Sequence, residues 1–204
     1  MGIKKTVVVK IGSSVLLTKR NKLDEFRIAH IADQITSLRE AGIGVVLVIS
    51  GAVACGSKYV NLNDSISKRM AAGIGQIIIS ATFSSIFNQK GYQIAQVLLT
   101  KTDINSRELI NVLKRYVSEG FIPVINENDV VDLNSFGGND FLGAEITTLL
   151  QAKRLIVLST MESSVFGIGG GKTKQQVIKH LRKQNVKTEI INGKVKNILL
   201  NTIL

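Results

Sequence analysis

The chain has 204 residues, of which 45% are hydrophobic and 20% charged, with one proline and one cysteine. This length supports one sizeable core and argues against a tail or linker, and a lone cysteine excludes an internal disulfide framework. The apolar runs at 43–49 and 154–158 are far too short to cross a bilayer, so we expect a cytoplasmic protein without a membrane segment.

The net charge of +11 is concentrated in the last quarter of the chain. Residues 153–204 carry ten Lys or Arg against two acids, whereas residues 1–152 carry sixteen against thirteen. Such a basic lobe could follow a nucleic-acid backbone, hold a polyphosphate or form a solvated face. Because the chain has no Trp and no basic stretch interleaved with aromatic residues, we do not expect a nucleic-acid partner.

Strands and helices alternate along the chain. The near-continuous β-branched and leucine runs are typical of parallel strands covered on both faces. They predict strands at 6–11, 45–49, 94–99, 122–126, 154–159 and 187–191. Apolar spacing predicts helices from about 25 to 41 and at 67–90, 104–119, 140–152 and 173–184. This alternation predicts a three-layer α/β/α sandwich with a mostly parallel central sheet.

Polar, small residues follow most of the predicted strands, where open parallel sheets bind their ligands. The first such cluster contains Lys10, Gly12 and Ser13. Gly12 lets the backbone approach a ligand, and Lys10 adds a positive charge suited to a phosphoryl group. The alternative is an edge strand in which the Lys10 ammonium extends into water.

Two further clusters suit a small acid. Ser50 and Gly51 leave room for an anion at a helix start, although Ser50 could equally be a capping serine. Asn126 and Asp129, within PVINENDVV, could hold the ammonium group of an amino acid. An Asx-rich turn is the structural alternative for this pair.

The segment FGGNDFLGAEI, 136–146, places Asn139 and Asp140 at the head of an apolar helix. Asp140 could cap that helix, or it could fix the positions of two lysines that neutralise a migrating phosphate. The sequence leaves both interpretations open.

The segment GIGGGKTK, 167–174, has four glycines in five residues and then two lysines. It does not match the Walker A spacing, because Phe166 stands where the first glycine should be, and it fails the dinucleotide pattern too. A glycine-rich turn before a helix still favours an anion.

These motifs, in this order, resemble the amino acid kinase family and within it most closely the glutamate 5-kinases. The patterns KxGSS and SGA, here within KIGSSV and ISGAVACG, are widespread in the family, whereas PVINEND is more specific to that group. The resemblance implies ATP-dependent phosphorylation of the γ-carboxylate of L-glutamate, the first step of proline synthesis, in a homodimer or homotetramer. Another small-acid or phosphate kinase of the family and a catalytically degenerate ligand-binding homologue remain as alternatives.

The resemblance also implies roles for individual residues. Lys10 and Lys174 would stabilise the transferring phosphoryl group, and Asp140 would organise them. Ser50, Gly51, Asn126, Asp129 and Asn139 would bind glutamate. The nucleotide would be bound by Lys10, Gly12, Ser13, Ser159, Thr160, Gly167, Gly169, Gly170, Gly171, Lys172, Thr173 and Lys174. Mg²⁺ would be held mainly by the ATP phosphates, with no metal cage made by the protein.

The resemblance indicates one kinase domain over 1–204, with an acidic-substrate lobe at 1–152 and a shortened nucleotide lobe at 153–204. No RNA-modification-type domain is expected at the C-terminus. Relative to the family, an aspartate after Ser159 is missing, and Gly138 stands where an aspartate is common. The apolar tail ILLNTIL, 198–204, raises the question of whether a partner subunit completes the short lobe.

Overall fold

The computed structural model describes residue 3, residues 5–160 and residues 186–204. Within these ranges six strands form one sheet in the order β3-β4-β2-β1-β5-β6, and all five strand pairings are parallel. The strands are β1 (Lys5–Ile11), β2 (Ile43–Ile49), β3 (Ile94–Leu99), β4 (Ile122–Glu127), β5 (Arg154–Ser159) and β6 (Lys187–Asn192). All six strand predictions are confirmed to within two residues.

Strand β1 lies in the middle of the sheet, with β2 on one side and β5 on the other. Its neighbours place Lys10 between Val48 of β2 and Val157 of β5. Strands β2, β4 and β3 lie on one side of β1, and β5 and β6 lie on the other. The carboxyl ends of β1 and β5 therefore form the crevice where such sheets bind ligands.

Seven α-helices and one short 3₁₀ helix, Asp103–Asn105, occupy the described ranges. The α-helices are α1 (Ser13–Leu16), α2 (Glu25–Glu40), α3 (Ala52–Gly56), α4 (Ser65–Asn88), α5 (Arg107–Ser118), α6 (Asn139–Leu149) and α7 (Ile198–Ile203). The predicted helix 173–184 lies outside the described residues.

Two apolar cores lie on opposite faces of the sheet. One includes Ile35 of α2, Phe83 of α4 and Leu199 of α7, and the other includes Leu113 of α5 and Ile146 of α6. Helices thus cover both faces, which confirms the expected α/β/α sandwich. The loop 128–138 between β4 and α6 contains only turns and bends and lies at the carboxyl edge of the sheet.

Helix α4 is, in the described part of the chain, the one helix with the length and mean hydropathy, 1.6, of a membrane span. Several of its apolar residues belong to the domain core, since Ile79, Phe83 and Phe87 are at most 1% exposed.

The apolar tail packs against the chain's own helix α2. Leu199 and Ile203 are buried in the same core as α2, and the Leu199 amide donates a 2.8 Å hydrogen bond to Gln34 Oε1. These two residues of the tail therefore contact their own chain.

Candidate active site

The centre of the site is an ion pair between Lys10 and Asp140. Lys10 lies next to the last residue of β1, Asp140 lies in the first turn of α6, and Lys10 Nζ is 2.7 Å from Asp140 Oδ1. Both side chains are more than nine-tenths buried. The edge-strand interpretation of Lys10 is wrong, because β1 is central and its lysine is covered.

Helix α6 reaches Lys10 closely because Gly143 has no side chain. A Cβ at Gly143 would lie 3.5 Å from Lys10 Cβ. The capping interpretation of Asp140 is also wrong, since Gly138 is the N-cap and Asp140 is the second helical residue. The carboxylate of Asp140 is thus available to orient the ammonium.

The turn after β1 adds a second feature to this centre. The Gly12 amide donates to the Leu158 carbonyl at 2.9 Å, which ties the turn to β5. A Cβ at Gly12 would lie 3.1 Å from that carbonyl and 3.8 Å from both Lys10 Nζ and Ser14 Oγ. An ammonium and a hydroxyl therefore approach the bare face of a glycine, an arrangement that suits phosphate oxygens.

The turn after β2 contacts the turn after β1. Gly51 has φ of 104°, a conformation that favours glycine, and a Cβ there would lie 3.3 Å from Ser13 Cβ. Gly51, not Ser50, is the N-cap of α3, and no side chain caps that helix. The interpretation of Ser50 as a plain capping serine is therefore wrong, and Ser50 and Ser13 lie in adjacent turns.

A close helix crossing fixes the position of α3. A Cβ at Gly56 would lie 1.9 Å from the Ala71 carbonyl oxygen, and one at Gly75 would lie 1.9 Å from the Ala52 carbonyl oxygen. The backbones of α3 and α4 are thus in direct contact. This contact fixes α3 and the Ser50 turn that precedes it.

Asn126, at the end of β4, is 1% exposed and keeps one polar group unused. Its Oδ1 accepts the Glu127 amide at 2.9 Å, whereas its Nδ2 has no hydrogen-bond partner among the described residues. Within the same ranges Oδ1 of Asn139, at the start of α6, also has none. The carboxyl edge therefore offers a buried donor and a buried acceptor to a ligand.

Asp129 is engaged within the loop 128–138. Its Oδ1 accepts the Asn134 amide at 3.0 Å, so the turn interpretation holds for this hydrogen bond. Burial raises the pKa of the Asp129 carboxyl, and the nearby Arg69 guanidinium lowers it in part. Arg69 of α4 also donates to the carbonyls of Val130 and Val131, which fastens the near part of the loop.

Glu127, the last residue of β4, was not among the predicted site residues. It is 2% exposed, and its Oε2 accepts the Phe136 amide at 3.1 Å. Burial raises its pKa from 4.5 to about 7, with smaller contributions from Asp129 and Asp132. Strand alternation was the available signal, since Glu127 shares a face with buried Ile125.

The nucleotide side of the site is described only in part. Ser159 and Thr160, at the carboxyl end of β5, are both buried, and the Ser159 carbonyl accepts the Gly193 amide at 3.1 Å. The other predicted nucleotide-binding residues lie outside the described ranges: Gly167, Gly169, Gly170, Gly171, Lys172, Thr173 and Lys174.

The chain resembles named proteins in sequence. A glutamate 5-kinase of Prochlorococcus marinus strain AS9601 is 34% identical over 203 residues, which cover 95% of this chain and 56% of that protein. A glutamate 5-kinase of Clostridium acetobutylicum is 35% identical over 166 residues, covering 76% of this chain and 62% of that protein. The chain thus spans little more than half of these relatives' length.

Solved structures share the fold at low sequence identity. A structure of isopentenyl phosphate kinase has a TM-score of 0.72 at 15% identity, covering 97% of this chain and 95% of that one. UMP kinase from Bacillus anthracis has a TM-score of 0.66 at 16% identity, covering 97% and 92%.

The family assignment rests on a match over nearly the whole chain. A family model described as the amino acid kinase family matches residues 5–201. This range includes the ion pair, the turns after β1 and β2 and the loop before α6. The chain belongs to the amino acid kinase family.

Proposed function

We propose that the protein uses ATP to phosphorylate the γ-carboxylate of L-glutamate, forming glutamyl 5-phosphate in the first step of proline biosynthesis. The observation that carries the proposal is the buried Lys10–Asp140 pair, 2.7 Å apart, beside the Gly12 turn at the carboxyl end of the central strand. Relatives named glutamate 5-kinase that match 95% and 76% of the chain support the choice of substrate.

Phosphoryl transfer needs mainly positioning and charge neutralisation, and little covalent chemistry from the protein. The Lys10 ammonium would neutralise the oxygens of the phosphoryl group as it moves from ATP to the carboxylate. Asp140 would hold that ammonium in place, and Lys174 would supply a second positive charge. A glutamate carboxylate is ionised at neutral pH, so the step requires no general base.

The substrate groups would lie along the edge formed by β2, β4 and α6. Ser50 and Gly51 would bind from the β2 turn, and Asn126, Asp129 and Asn139 would bind from the β4 side. The unused donor of Asn126 and acceptor of Asn139 suit a molecule with both a carboxylate and an ammonium group.

The nucleotide would be bound by Lys10, Gly12, Ser13, Ser159, Thr160 and the glycine-rich segment 167–174. In the described part of the chain no group of three or more His, Cys, Asp or Glu side chains could hold a metal ion. Mg²⁺ would be held mainly by the ATP phosphates, where it would neutralise phosphate charge.

The proposal places the enzyme in the cytoplasm as a homo-oligomer. Helix α4 supports self-association, because Ile66, Met70 and Ile77 are 65%, 56% and 73% exposed along it. Exposed apolar side chains of this kind are typical of protein interfaces.

An acyl-phosphate assay tests the activity. The purified protein is incubated with ATP, Mg²⁺ and L-glutamate, and the product is trapped with hydroxylamine beside parallel reactions with aspartate and N-acetylglutamate. We expect glutamyl hydroxamate from glutamate alone. Product from another acid would assign a different substrate within the family, and no product from folded protein would refute the proposed phosphorylation of glutamate.

A further inference from the structure

The loop 128–138 connects the end of β4 to the start of α6, and it is held at its far end by one buried carboxylate. Glu127 Oε2 accepts the Phe136 amide at 3.1 Å, and the Gly138 amide also donates toward this carboxylate. Gly138 is the N-cap of α6, and its carbonyl accepts the Phe141 amide at 3.0 Å. The position of Glu127 therefore bears directly on where α6 begins.

Glu127 itself is fixed by the sheet and by α4. It pairs with Leu99 of β3, its amide donates to Asn126 Oδ1, and its carbonyl accepts Gln76 Nε2 at 3.3 Å. Because these contacts fix the backbone of Glu127, its side chain can hold the loop in a defined position. Arg69 holds the near part of the same loop through the carbonyls of Val130 and Val131.

We infer that Glu127 is a positioning residue, which fastens the far end of the loop 128–138 and thereby sets Asn139 and Asp140 in the site. This inference rests on the proposed function for its kinetic consequence, while its structural part is independent of the substrate. Glu127 acts through Asp140, which is 2.7 Å from Lys10, and through Asn139.

Three substitutions of Glu127 separate the effects of side-chain length, charge and the acceptor oxygen. Glu127→Gln keeps an acceptor oxygen at the same distance without the charge. Glu127→Asp keeps the charge but is one methylene too short to reach the Phe136 amide, and Glu127→Met keeps the length without an acceptor. We expect Glu127→Asp and Glu127→Met to behave alike and Glu127→Gln to resemble the parent protein.

Amide hydrogen exchange measured by NMR tests the anchor without any substrate. In Glu127→Asp and Glu127→Met the Phe136 and Gly138 amides should exchange about tenfold faster, the change expected for the loss of one hydrogen bond. The Gly12 amide, which donates to Leu158, is the internal control and should not change. Unchanged protection of Phe136 and Gly138 in both variants would overturn the inference.

Steady-state kinetics test the consequence for the site. In Glu127→Asp kcat should fall and KM for glutamate should rise, each about tenfold. KM for ATP should rise less, because the turn after β1 and the end of β5, which would also bind the nucleotide, do not belong to this loop. An equal rise of both KM values would contradict positioning through the loop. If the parent protein does not phosphorylate glutamate, the proposed function fails, and the exchange data still decide the role of Glu127.

Discussion

A lysine within a run of β-branched residues is explained by what lies opposite it. Lys10 has Val48 and Val157 as strand neighbours and is 6% exposed, so its ammonium cannot reach bulk water. Removing a charge from water is costly unless a partner charge is close, and Asp140 provides that charge. The pair thus fixes the position of the Lys10 ammonium, while Asp140 compensates its charge.

Removing one member of this pair should destabilise the protein more than removing both. Lys10→Met leaves the Asp140 carboxylate buried without a counter-ion, which costs about 3 to 5 kcal/mol. The double variant Lys10→Met with Asp140→Leu should recover most of that loss in urea unfolding, although both proteins should lose turnover. A Lys10→Met protein as stable as its parent would contradict the ion pair.

The titration of Glu127 gives a second prediction at this scale. Its pKa is about 7 in the folded protein against an ordinary value of 4.5, so between these pH values the folded state binds more protons than the unfolded state. The free energy of unfolding should therefore decrease as pH rises through this window, by up to about 3 kcal/mol. Glu127→Gln should lack this component.

Urea unfolding at several pH values between 5 and 8 measures the difference between the parent and Glu127→Gln. The other charged groups near Glu127 are retained in both proteins, so they cancel in the comparison: Asp129 and Asp132 of the loop, Arg69 of α4 and the Lys10–Asp140 pair. If the free energies of unfolding of the two proteins change with pH in parallel, Glu127 has its ordinary pKa in the folded protein.

Sequence reasoning identified most polar residues of the described site but not their contacts. Lys10 was singled out because a lysine at the end of an apolar strand is unusual, whereas the role of Asp140 came from the resemblance to the amino acid kinases. Their 2.7 Å contact joins positions 130 residues apart and depends on sheet order, which local patterns do not contain. Glu127 was missed because it stands in a polar run where its neighbours Asn126 and Asp129 suggested ligand binding.

At the scale of elements, the six strands were predictable and the shortest helices were not. Near-continuous runs such as those of β1 and β2 have few alternatives, because they can be buried only in a covered sheet. Helices α1, α3 and α7 have four to six residues and are too short to show a periodic pattern. The crossing of α3 and α4 depends on glycines whose importance appears only when the two backbones meet.

Two glycines of α4 should respond oppositely to alanine. Gly75→Ala places a Cβ 1.9 Å from the Ala52 carbonyl oxygen, so α3 must move, at a cost of about 1 to 3 kcal/mol or more. KM for glutamate should rise with it, because α3 follows the Ser50 turn. In Gly73→Ala the new Cβ would lie 3.3 Å from Val130 Cγ2, and Val130 is 48% exposed, so its side chain can move aside. This variant should therefore gain up to about 1 kcal/mol from helix propensity.

Urea unfolding and the hydroxamate assay compare these two variants directly. If Gly73→Ala and Gly75→Ala prove equally stable and equally active, the close crossing of α3 and α4 is not present in solution.

At the scale of the whole molecule, distant parts of the chain meet on helix α2. Three α2 side chains bind the backbone of the last segment: Arg27 donates to the Lys194 carbonyl, His30 accepts the Asn197 amide and Gln34 accepts the Leu199 amide. Together with the burial of Leu199, these contacts make α7 part of the core. The short helix is held by its neighbours rather than by its own turns.

The contribution of α7 can be measured with two leucines. Leu199→Ala removes a fully buried side chain and should lower the free energy of unfolding by about 2 to 4 kcal/mol. Leu204→Ala, at a side chain 75% exposed, should change it by less than about 0.5 kcal/mol. The loss in Leu199→Ala should not depend on protein concentration, whereas a concentration-dependent loss would place Leu199 in a subunit interface.

The central position of β1 has a consequence for how the chain acquires its structure during synthesis. Strand β1 is synthesised before its neighbour β2, and β5 covers its other side only after residues 154–159 have been added. In this interval β1 is an open edge, which could template aggregation with other nascent chains. A charged side chain on an open edge opposes such pairing. Lys10 would therefore reduce aggregation of the nascent chain before the phosphate site has formed.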